Sequence, residues 1–425
     1  TVYGDREVET PTFDRIAEKG VLFNHAYVSS PSCTPSRNAI LTGQQFFRLE
    51  SGANLWSELP QKFVVFPHLL EDHGYRVLSS RKIYGPGPNW ERRIEGEWYE
   101  TQEAMNEALL DGKTDGPFCI LLGTSDPHRP YNQKARLAQN SHLDPENVSV
   151  PSYFPDTPEV RADIADYYFE VERFDSDVAR QLQILDEMGE LDNTIVIMTG
   201  DHGWPFPRAK SNLYDIGTRV PLAIMWGKNV QNPGRVIEDF VSLTDIAPTV
   251  LQAANIQIPE SMTGRSLIPL LETESTGWID PERNFVITGK ERHTPAQADS
   301  MEGTPMRAIR TQDYLYIRNF KPESWPAGSP KNPKTWPYSD IDGGRTKDAI
   351  LAVKDDPEMA FMYELSMGKR PADELYRIDE DPEQIHNLAD DPEYAETVEQ
   401  LRTQLMEELV ELDDPRALGN GDSFT

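Results

Sequence analysis

The sequence predicts an α/β fold in which a large, mostly parallel sheet lies between helices and is followed by a smaller C-terminal α+β domain. Short apolar runs alternate with helical patterns along most of the chain, which is typical of a parallel sheet covered on both faces. After residue 300 the pattern changes to a hairpin, a Pro/Gly/Lys-rich loop and a final helix. We therefore expect a large domain over residues 1–300 and a smaller domain over residues 301–425.

The individual elements are predicted from the period of the apolar residues. Strands of the first domain are predicted at residues 64–66, 118–122, 194–199, 222–226 and 285–288. Helices of the first domain are predicted at residues 12–19, 163–188 and 243–254. The second domain is predicted to contain a hairpin at residues 306–310 and 314–317, a loop at 321–346, a strand at 374–378 and a helix at 393–412.

Charge and composition exclude several classes of protein. The chain carries 71 acidic and 41 basic residues, which gives a formal charge of −30. A field of this sign repels nucleic acid and anionic membranes, so neither is expected as a partner. The charge also fits a solvated acidic surface of the kind found in salt-adapted proteins. The chain lacks a run of about 18 apolar residues, so no transmembrane segment is expected.

Only two cysteines occur, Cys33 and Cys119, which excludes a disulfide framework. Cys119 lies in an apolar run and is predicted to be a small core residue. Cys33 lies in a polar, proline-containing turn, where packing does not explain a thiol. Thr34 can cap a helix and Pro35 suits its first position, so Cys33 is expected at a helix N-terminus, which favours an approaching anion.

Polar residues follow two of the predicted strands. Asp126 and His128 come after one strand, and Asp201 and His202 come after another. In open α/β sheets, ligands bind beyond the carboxyl ends of the strands. These residues therefore fall where the predicted architecture places its chemistry.

Five segments of the chain together resemble the type I, formylglycine-dependent sulfatases. They are residues 10–17 (TPTFDRIA), 23–27 (FNHAY), 32–43 (SCTPSRNAILTG), 125–130 (SDPHRP) and 199–203 (TGDHG). The order matches that of the family along nearly the whole chain. The resemblance implies an alkaline phosphatase-like sandwich fold and the oxidation of Cys33 to formylglycine by a formylglycine-generating or anaerobic maturation enzyme.

Within the family, the chain looks most like the heparan N-sulfatase (sulfamidase) branch. The segments responsible are residues 155–163, 205–214 and 305–307. Asp201, His202 and Lys210 also resemble their counterparts in iduronate sulfatase. The resemblance implies a hydrolase for sulfated sugars or oligosaccharides, in the periplasm or secreted.

The resemblance also implies roles for individual residues. Cys33 supplies the nucleophile as a formylglycine hydrate, whose second hydroxyl permits release of the bound sulfate. Arg37 steadies the nucleophile. Lys82 and Lys210 contact the sulfate, and His128 protonates the leaving group, for which a histidine pKa is suited near neutrality.

The implied metal ligands are Cys33, Asp201 and His202. Carboxylate oxygens suit a hard cation, so Ca²⁺ is expected and Mg²⁺ is the less favoured choice. His293 and Arg307 are the implied substrate-binding residues.

Two departures from the family pattern concern the site. The family's first motif, an apolar strand that ends in paired aspartates, lies upstream of the position of Thr1 and is absent from this sequence. Those aspartates would be two of the metal ligands, so we interpret the sequence as processed or truncated. The family's histidine shortly after the Lys82 position is also absent, because Ile83, Tyr84 and Gly85 follow instead.

Several functions remain open on this evidence. The first is hydrolysis of N-sulfoglucosamine at the end of a heparan-like chain. The second is O-sulfate removal from ulvan- or fucan-like algal oligosaccharides, which the acidic composition favours. A phosphate-ester hydrolase of the same superfamily and a non-catalytic carbohydrate-binding relative are further alternatives.

Overall fold

The computed structural model describes residues 1–87, 96–111, 116–139, 141–297, 302–333 and 335–424. The predicted domain boundary between residues 300 and 301 lies outside the described residues. None of the described helices is both long and apolar enough to cross a membrane.

Eleven strands and twelve α-helices order the described part of the chain. The strands are β1 Val21–Tyr27, β2 Arg76–Arg81, β3 Glu97–Tyr99, β4 Phe118–Gly123, β5 Val196–Thr199, β6 Leu222–Met225, β7 Arg235–Ser242, β8 Phe285–Lys290, β9 Met306–Thr311, β10 Tyr314–Asn319 and β11 Asp373–Arg377. The helices are α1 Pro11–Lys19, α2 Cys33–Thr42, α3 Phe66–Asp72, α4 Gln102–Leu110, α5 Gln133–Ala138, α6 Pro158–Glu187, α7 Asp215–Thr218, α8 Ile246–Ala253, α9 Ile268–Glu272, α10 Arg345–Ala352, α11 Ala360–Met367 and α12 Ala395–Glu411.

The predicted large sheet is present as two neighbouring sheets. One has the order β3-β2-β4 and is parallel throughout. The other has the order β5-β6-β1-β7, in which β1 and β7 are parallel and β6 runs antiparallel to both of its neighbours. The α/β class is therefore confirmed, with β6 as the antiparallel member.

A cleft separates these two sheets. It has a volume of about 870 Å³ and is lined by β4 on one side, by β5 on the other and by apolar side chains of α6 and α8. Both β4 and β5 are edge strands of their sheets, so each presents unpaired backbone N–H and C=O groups. Arg37 and Asp201 lie in the lining of this cleft.

The C-terminal part is built on a four-stranded antiparallel sheet with the order β11-β10-β9-β8. The predicted hairpin is β9 and β10. Its strand β8 comes from before residue 300, so this sheet spans the predicted boundary. Helix α12 covers the sheet through four buried residues, Val398, Leu401, Leu405 and Leu409.

The structure differs from the predicted elements in several places. Residues 64–66 are not a strand, because Phe66 begins helix α3. Strands β1, β2 and β7 were not predicted as strands. In β1 the polar Asn24 and His25 interrupt the apolar pattern; the structure accommodates them because Asn24 accepts hydrogen bonds from Arg219 and His25 stacks on Phe240.

Candidate active site

The site is centred on the N-terminus of helix α2, which begins at Cys33. The predicted start at Pro35 is therefore two residues late. Ser32 is the N-cap residue, but its hydroxyl makes no capping bond and instead pairs with Nδ1 of His293 at 2.7 Å. Because the first N–H groups of a helix lack partners within the helix, this terminus favours an anion beside Cys33.

The Cys33 thiol lies between two cationic or proton-binding side chains. Its Sγ is 3.2 Å from Nζ of Lys82 and 3.3 Å from Nε2 of His202. Burial alone would raise the pKa of this thiol, but Lys210, His202 and Lys82 together lower the pKa well below its ordinary value. The site therefore stabilises negative charge at the position of the Cys33 side chain.

Lys82 follows strand β2, and the backbone after it passes very close to helix α2. A Cβ at Gly85 would lie 2.3 Å from Oγ1 of Thr34, so only glycine permits this approach. Thr34 Oγ1 donates to the carbonyl of Pro86 at 2.9 Å, which fixes the segment against the helix. This contact helps to hold the Lys82 ammonium over Cys33.

Arg37 lies one helical turn after Cys33 and is fully engaged by the protein. Its Nε donates to Oδ2 of Asp201 at 2.6 Å, and its Nη1 donates to the carbonyls of Lys82 at 2.5 Å and Ile83 at 3.2 Å. Arg37 thereby connects helix α2, the Lys82 segment and the residue after β5. Its geometry fits the predicted steadying role.

Asp201 and His202 follow β5 and face Cys33. Burial would raise the pKa of Asp201, but Arg37, His202 and Lys82 hold it far below its usual range. Nδ1 of His202 lies 2.7 Å from the Gly203 carbonyl, which places a proton on Nδ1 and directs Nε2 at Cys33. Burial would lower the pKa of His202, but Asp201 and Cys33 raise it above its ordinary value.

These groups fit a divalent cation. Ligand atoms of Cys33, Asp201 and His202 all lie within 4.8 Å of one another. A carboxylate oxygen and an imidazole nitrogen with its second nitrogen hydrogen-bonded are ordinary metal ligands. Ca²⁺ takes six to eight oxygen ligands, so these residues form part of a shell rather than a whole one.

Lys210 lies across the pocket from Lys82 and has a carboxylate partner that was not predicted from the sequence. Its Nζ donates to Oδ2 of Asp342 at 2.8 Å, and its side chain is 5% exposed. Asp342 comes from the Pro/Gly/Lys-rich loop of the C-terminal part. Asp342 and the neighbouring Asp340 stand in a loop without a recognisable motif, so only the structure could reveal the pairing with Lys210.

Two further histidines belong to the same neighbourhood. His128 is exposed, and its Nδ1 lies 2.5 Å from the Arg129 carbonyl. Burial and the positive charges of Lys210 and Lys82 lower its pKa. His293 is buried, and burial together with Lys210 lowers its pKa well below the ordinary value.

The structure does not bring Arg307 to this pocket, so its predicted role in substrate binding is wrong. Its side chain is fully buried. Its guanidinium pairs with Asp414 at 2.5 Å and with Glu291 at 2.7 Å, and Nη1 donates to two backbone carbonyls. Arg307 therefore joins the C-terminal tail to strand β9, and no donor is left for a ligand.

The remaining predicted residues form the local basic region that an anionic substrate requires. Lys82, Lys210 and His202 surround the Cys33 position within a chain of net charge −30. Because the pocket is positively charged whereas the whole protein is negatively charged, an anion would be bound by local contacts and not by long-range attraction.

Comparisons with known proteins agree with this geometry. The sulfatase family model matches residues 1–256, and the model of the N-sulphoglucosamine sulphohydrolase C-terminal region matches residues 200–326. The chain is 28% identical to human N-sulphoglucosamine sulphohydrolase, over 97% of this chain and 88% of that protein. It is also 28% identical to an ulvan-active sulfatase of Formosa agariphila, over 94% of this chain and 74% of that protein.

Solved structures show the same fold. A protein in complex with its substrate D-glucosamine-2-N,6-O-disulfate superimposes with a TM-score of 0.70 at 20% identity, over 97% of this chain and 95% of the other. The phosphonate monoester hydrolase of Silicibacter pomeroyi has a TM-score of 0.70 at 16% identity, over 95% of this chain and 91% of the other.

The family model covers more than half of the chain and contains Cys33, Lys82, Asp201, His202 and Lys210, and the C-terminal match confirms the resemblance to the sulfamidase branch. The chain belongs to the sulfatase family.

Proposed function

We propose that this protein hydrolyses the sulfate groups of sulfated sugars, with a nucleophile derived from Cys33. The observation that carries the proposal is the position of the Cys33 side chain, at a helix N-terminus and within 3.3 Å of both Lys82 Nζ and His202 Nε2. A side chain that is converted to formylglycine at this point supplies a hydrated aldehyde as nucleophile.

The favoured substrate is an N-sulfated glucosamine at the end of a heparan-like chain. The likeness to human N-sulphoglucosamine sulphohydrolase and its C-terminal region supports this choice. An O-sulfatase for algal polysaccharide is the second candidate, because the ulvan-active sulfatase is equally similar in identity. Both substrates would present one sulfate to the same basic pocket.

The chain's own side chains divide the work of the reaction. Lys82 and Lys210 bind the sulfuryl oxygens and offset the charge that builds on them in the transition state. Arg37 holds Asp201 and the Lys82 backbone in place. His128 donates a proton to the sugar oxygen or nitrogen as its bond to sulfur breaks. The low pKa of His128 suits rapid proton transfer but leaves fewer molecules protonated at neutral pH.

Asp201, His202 and the modified Cys33 side chain would hold a divalent cation, with Ca²⁺ favoured over Mg²⁺. When bound, the cation lowers the pKa of the nucleophile and neutralises charge. Further oxygen ligands would be needed to complete the shell of such a cation. Asp201 lies in the wall of the cleft between β4 and β5.

The proposal includes the oxidation of Cys33 and the compartment in which the protein acts. A formylglycine-generating or anaerobic maturation enzyme would oxidise Cys33, and the protein would act in the periplasm or after secretion on sulfated oligosaccharides. Peptide mass spectrometry after co-expression with the maturation enzyme would show loss of the sulfur of Cys33 and gain of a carbonyl.

The test of the proposed activity is sulfate release from a panel, followed by ion chromatography. The panel contains N-sulfoglucosamine, sulfated ulvan oligosaccharides, 4-nitrophenyl sulfate and 4-nitrophenyl phosphate. Release from N-sulfoglucosamine supports the favoured substrate, and release only from the ulvan oligosaccharides replaces it with the second. Faster turnover of the phosphate than of every sulfate, or no turnover at all by the co-expressed and metal-loaded protein, would contradict the proposal.

A further inference from the structure

Asp342 is a hydrogen-bond acceptor in a pocket built from donors. Its Oδ2 accepts from Lys210 at 2.8 Å, and within the described part of the chain its Oδ1 accepts no hydrogen bond. The Asp342 side chain is 24% exposed, whereas that of Lys210 is 5% exposed. One carboxylate oxygen is therefore occupied by the protein, and the carboxylate remains partly accessible.

The groups that face Asp342 come from several elements, because Lys210 follows β5, His128 follows β4 and His293 follows β8. Burial would raise the pKa of the Asp342 carboxyl, but the positive charge of Lys210 and its hydrogen bond lower the pKa well below its ordinary value. The carboxylate is therefore ionised in a pocket where the other nearby groups donate. Such an oxygen forms strong hydrogen bonds with neutral or cationic donors.

The segment that carries this residue, which we call the Asp342 loop (residues 335–344), is held rigidly. Lys347 donates from Nζ to three loop carbonyls, those of Pro337, Tyr338 and Ile341, at 2.9 to 3.1 Å. Asp340 accepts from both the backbone and the hydroxyl of Thr294, next to His293. The part of the loop that leads into Asp342 is thus held at several points.

A close backbone approach fixes the other end of the loop. A Cβ at Gly344 would lie 2.5 Å from Nη1 of Arg129. This guanidinium cannot easily move, because it makes two hydrogen bonds to Asp163 at 2.8 Å and stacks on Tyr131. The Asp342 loop is therefore seated against the residue that follows His128.

We propose that Asp342 is a specificity-determining residue that accepts a hydrogen bond from a hydroxyl or ammonium group of the sugar that carries the sulfate. The same carboxylate disfavours a sugar with a carboxylate of its own at that side. This inference rests on the proposed function. It places hydroxyl-rich or amino sugars ahead of uronic acids as substrates.

Electrostatic interactions explain why Asp342 would favour a hydroxyl or amino sugar over a uronic acid. Two carboxylates about 4 Å apart repel each other at a protein surface, whereas a hydroxyl at the same place gains a charge-assisted hydrogen bond. Lys82 and Lys210 are already committed to the sulfate, so they would not neutralise a second anion as well. A site that leaves a polar partner unmatched rejects the wrong sugar strongly.

Asp342 could instead serve only to position Lys210. The two roles make different predictions. If Asp342 only positions Lys210, its loss weakens the handling of sulfate in every substrate. If it also recognises the sugar, its loss affects substrates that carry sugar donors more strongly than a simple aryl sulfate.

The experiment compares Asp342→Asn with the wild type and with Asp348→Asn, an exposed acidic residue on the adjoining helix α10. The substrates are N-sulfoglucosamine, 2-sulfated iduronic acid and 4-nitrophenyl sulfate. We expect Asp342→Asn to lower kcat/KM on N-sulfoglucosamine by about 10- to 100-fold. Turnover of 4-nitrophenyl sulfate, which reports only the altered partner of Lys210, should fall by a clearly smaller factor, and the disadvantage of the uronic acid should shrink. Asp348→Asn should change none of these.

Equal losses on the aryl and sugar substrates would overturn the recognition role in favour of a positioning role. Substrate affinity can also be measured in a variant that does not turn the substrate over. In a Cys33→Ala background, calorimetry should show that N-sulfoglucosamine binds more tightly than 2-sulfated iduronic acid and that Asp342→Asn narrows the difference. Equal affinities before the substitution, or no binding of either sugar, would also overturn the inference. The sulfate-release panel on the wild type tests the proposed function separately.

Discussion

The pocket has two sides that differ in how they are built. On one side, Cys33, Lys82 and His202 are held by short contacts around a single helix N-terminus. On the other side, the Asp342 loop is positioned by Lys347, which follows it closely in the chain, and by Thr294, which lies far away in the chain. The first side is suited to the sulfate, which all substrates share. The second is suited to the sugar, in which substrates differ.

This difference implies that the residues for sulfate hydrolysis and the residues for sugar selectivity can be substituted independently. The sulfate side depends on residues whose spacing is fixed by one helix and two strand ends. The Asp342 loop can change its sequence without moving them. Substitutions on the sulfate side should therefore affect all substrates, and substitutions on the loop side should affect only sugars. The predictions below follow this contrast, from the largest expected effect on turnover to the smallest.

Lys210→Ala should lower kcat on both sugar sulfates and 4-nitrophenyl sulfate by about 1000-fold, since a cation on the transferring group is lost from a buried site. The variant also leaves the carboxylate of Asp342 without its partner. Steady-state kinetics on the two substrate kinds is the measurement. Lys210→Arg, which keeps the charge, is the control and should retain more activity. A loss of activity confined to the sugar substrate would show that Lys210 recognises the sugar and not the sulfate.

His128→Ala should separate the two substrate kinds. Sugar hydroxyls and amines are poor leaving groups and need a proton, so we expect a loss of about 100-fold on N-sulfoglucosamine. Nitrophenolate leaves without one, so 4-nitrophenyl sulfate should lose less than about threefold. The comparison is made by kcat on each substrate. Equal losses on both would argue against a role for His128 as the acid.

Lys347→Met should weaken sugar recognition through the Asp342 loop. The ammonium of Lys347 supports three loop carbonyls. Its removal takes the donor from the carbonyls of Pro337 and Ile341, where each lost partner costs about 1–3 kcal/mol, whereas the Tyr338 carbonyl still accepts from the backbone of Ile341. We expect KM for the sugar substrate to rise by about tenfold, with smaller effects on 4-nitrophenyl sulfate. Lys354→Met, on an exposed lysine nearby, is the matched control. Unchanged KM in Lys347→Met would show that the loop does not need this support.

Arg307→Met should affect stability and leave turnover per folded molecule within about threefold. Breaking a buried ion pair by removing one partner costs about 3–5 kcal/mol, and Arg307 pairs with both Asp414 and Glu291. Chemical unfolding measures the cost, and active-site-normalised kinetics measures turnover. A large rise in KM for Arg307→Met, with an unchanged free energy of unfolding, would instead show that Arg307 binds the substrate.

The sulfate side could be predicted well from the sequence because its residues act within short, recognisable segments. Cys33 lies beside His202 and Lys82 as expected, and the elements β4, β5, β9, β10 and α12 fall close to their predicted positions. The apolar period of these elements is strong, so local pattern and tertiary packing agree.

Other features could not be predicted, because they depend on contacts between distant residues. Arg307 sits in a strand and looks like a ligand for anions, but its partner Asp414 lies 107 residues away. Asp342 lies in a loop without any periodic pattern. The division of the main sheet by a cleft follows from strand pairing, which the period of a single strand does not reveal.

The most direct test of the account is sulfate release by the protein co-expressed with a formylglycine-generating enzyme, compared with Cys33→Ala made in the same way. The account predicts sulfate release by the first protein and release at the level of the uncatalysed background by the second. Circular dichroism should show that both proteins are folded at the assay temperature, because Cys33→Ala removes a single heavy atom from the helix N-terminus. Full activity in Cys33→Ala would contradict the central claim that the Cys33 side chain supplies the nucleophile.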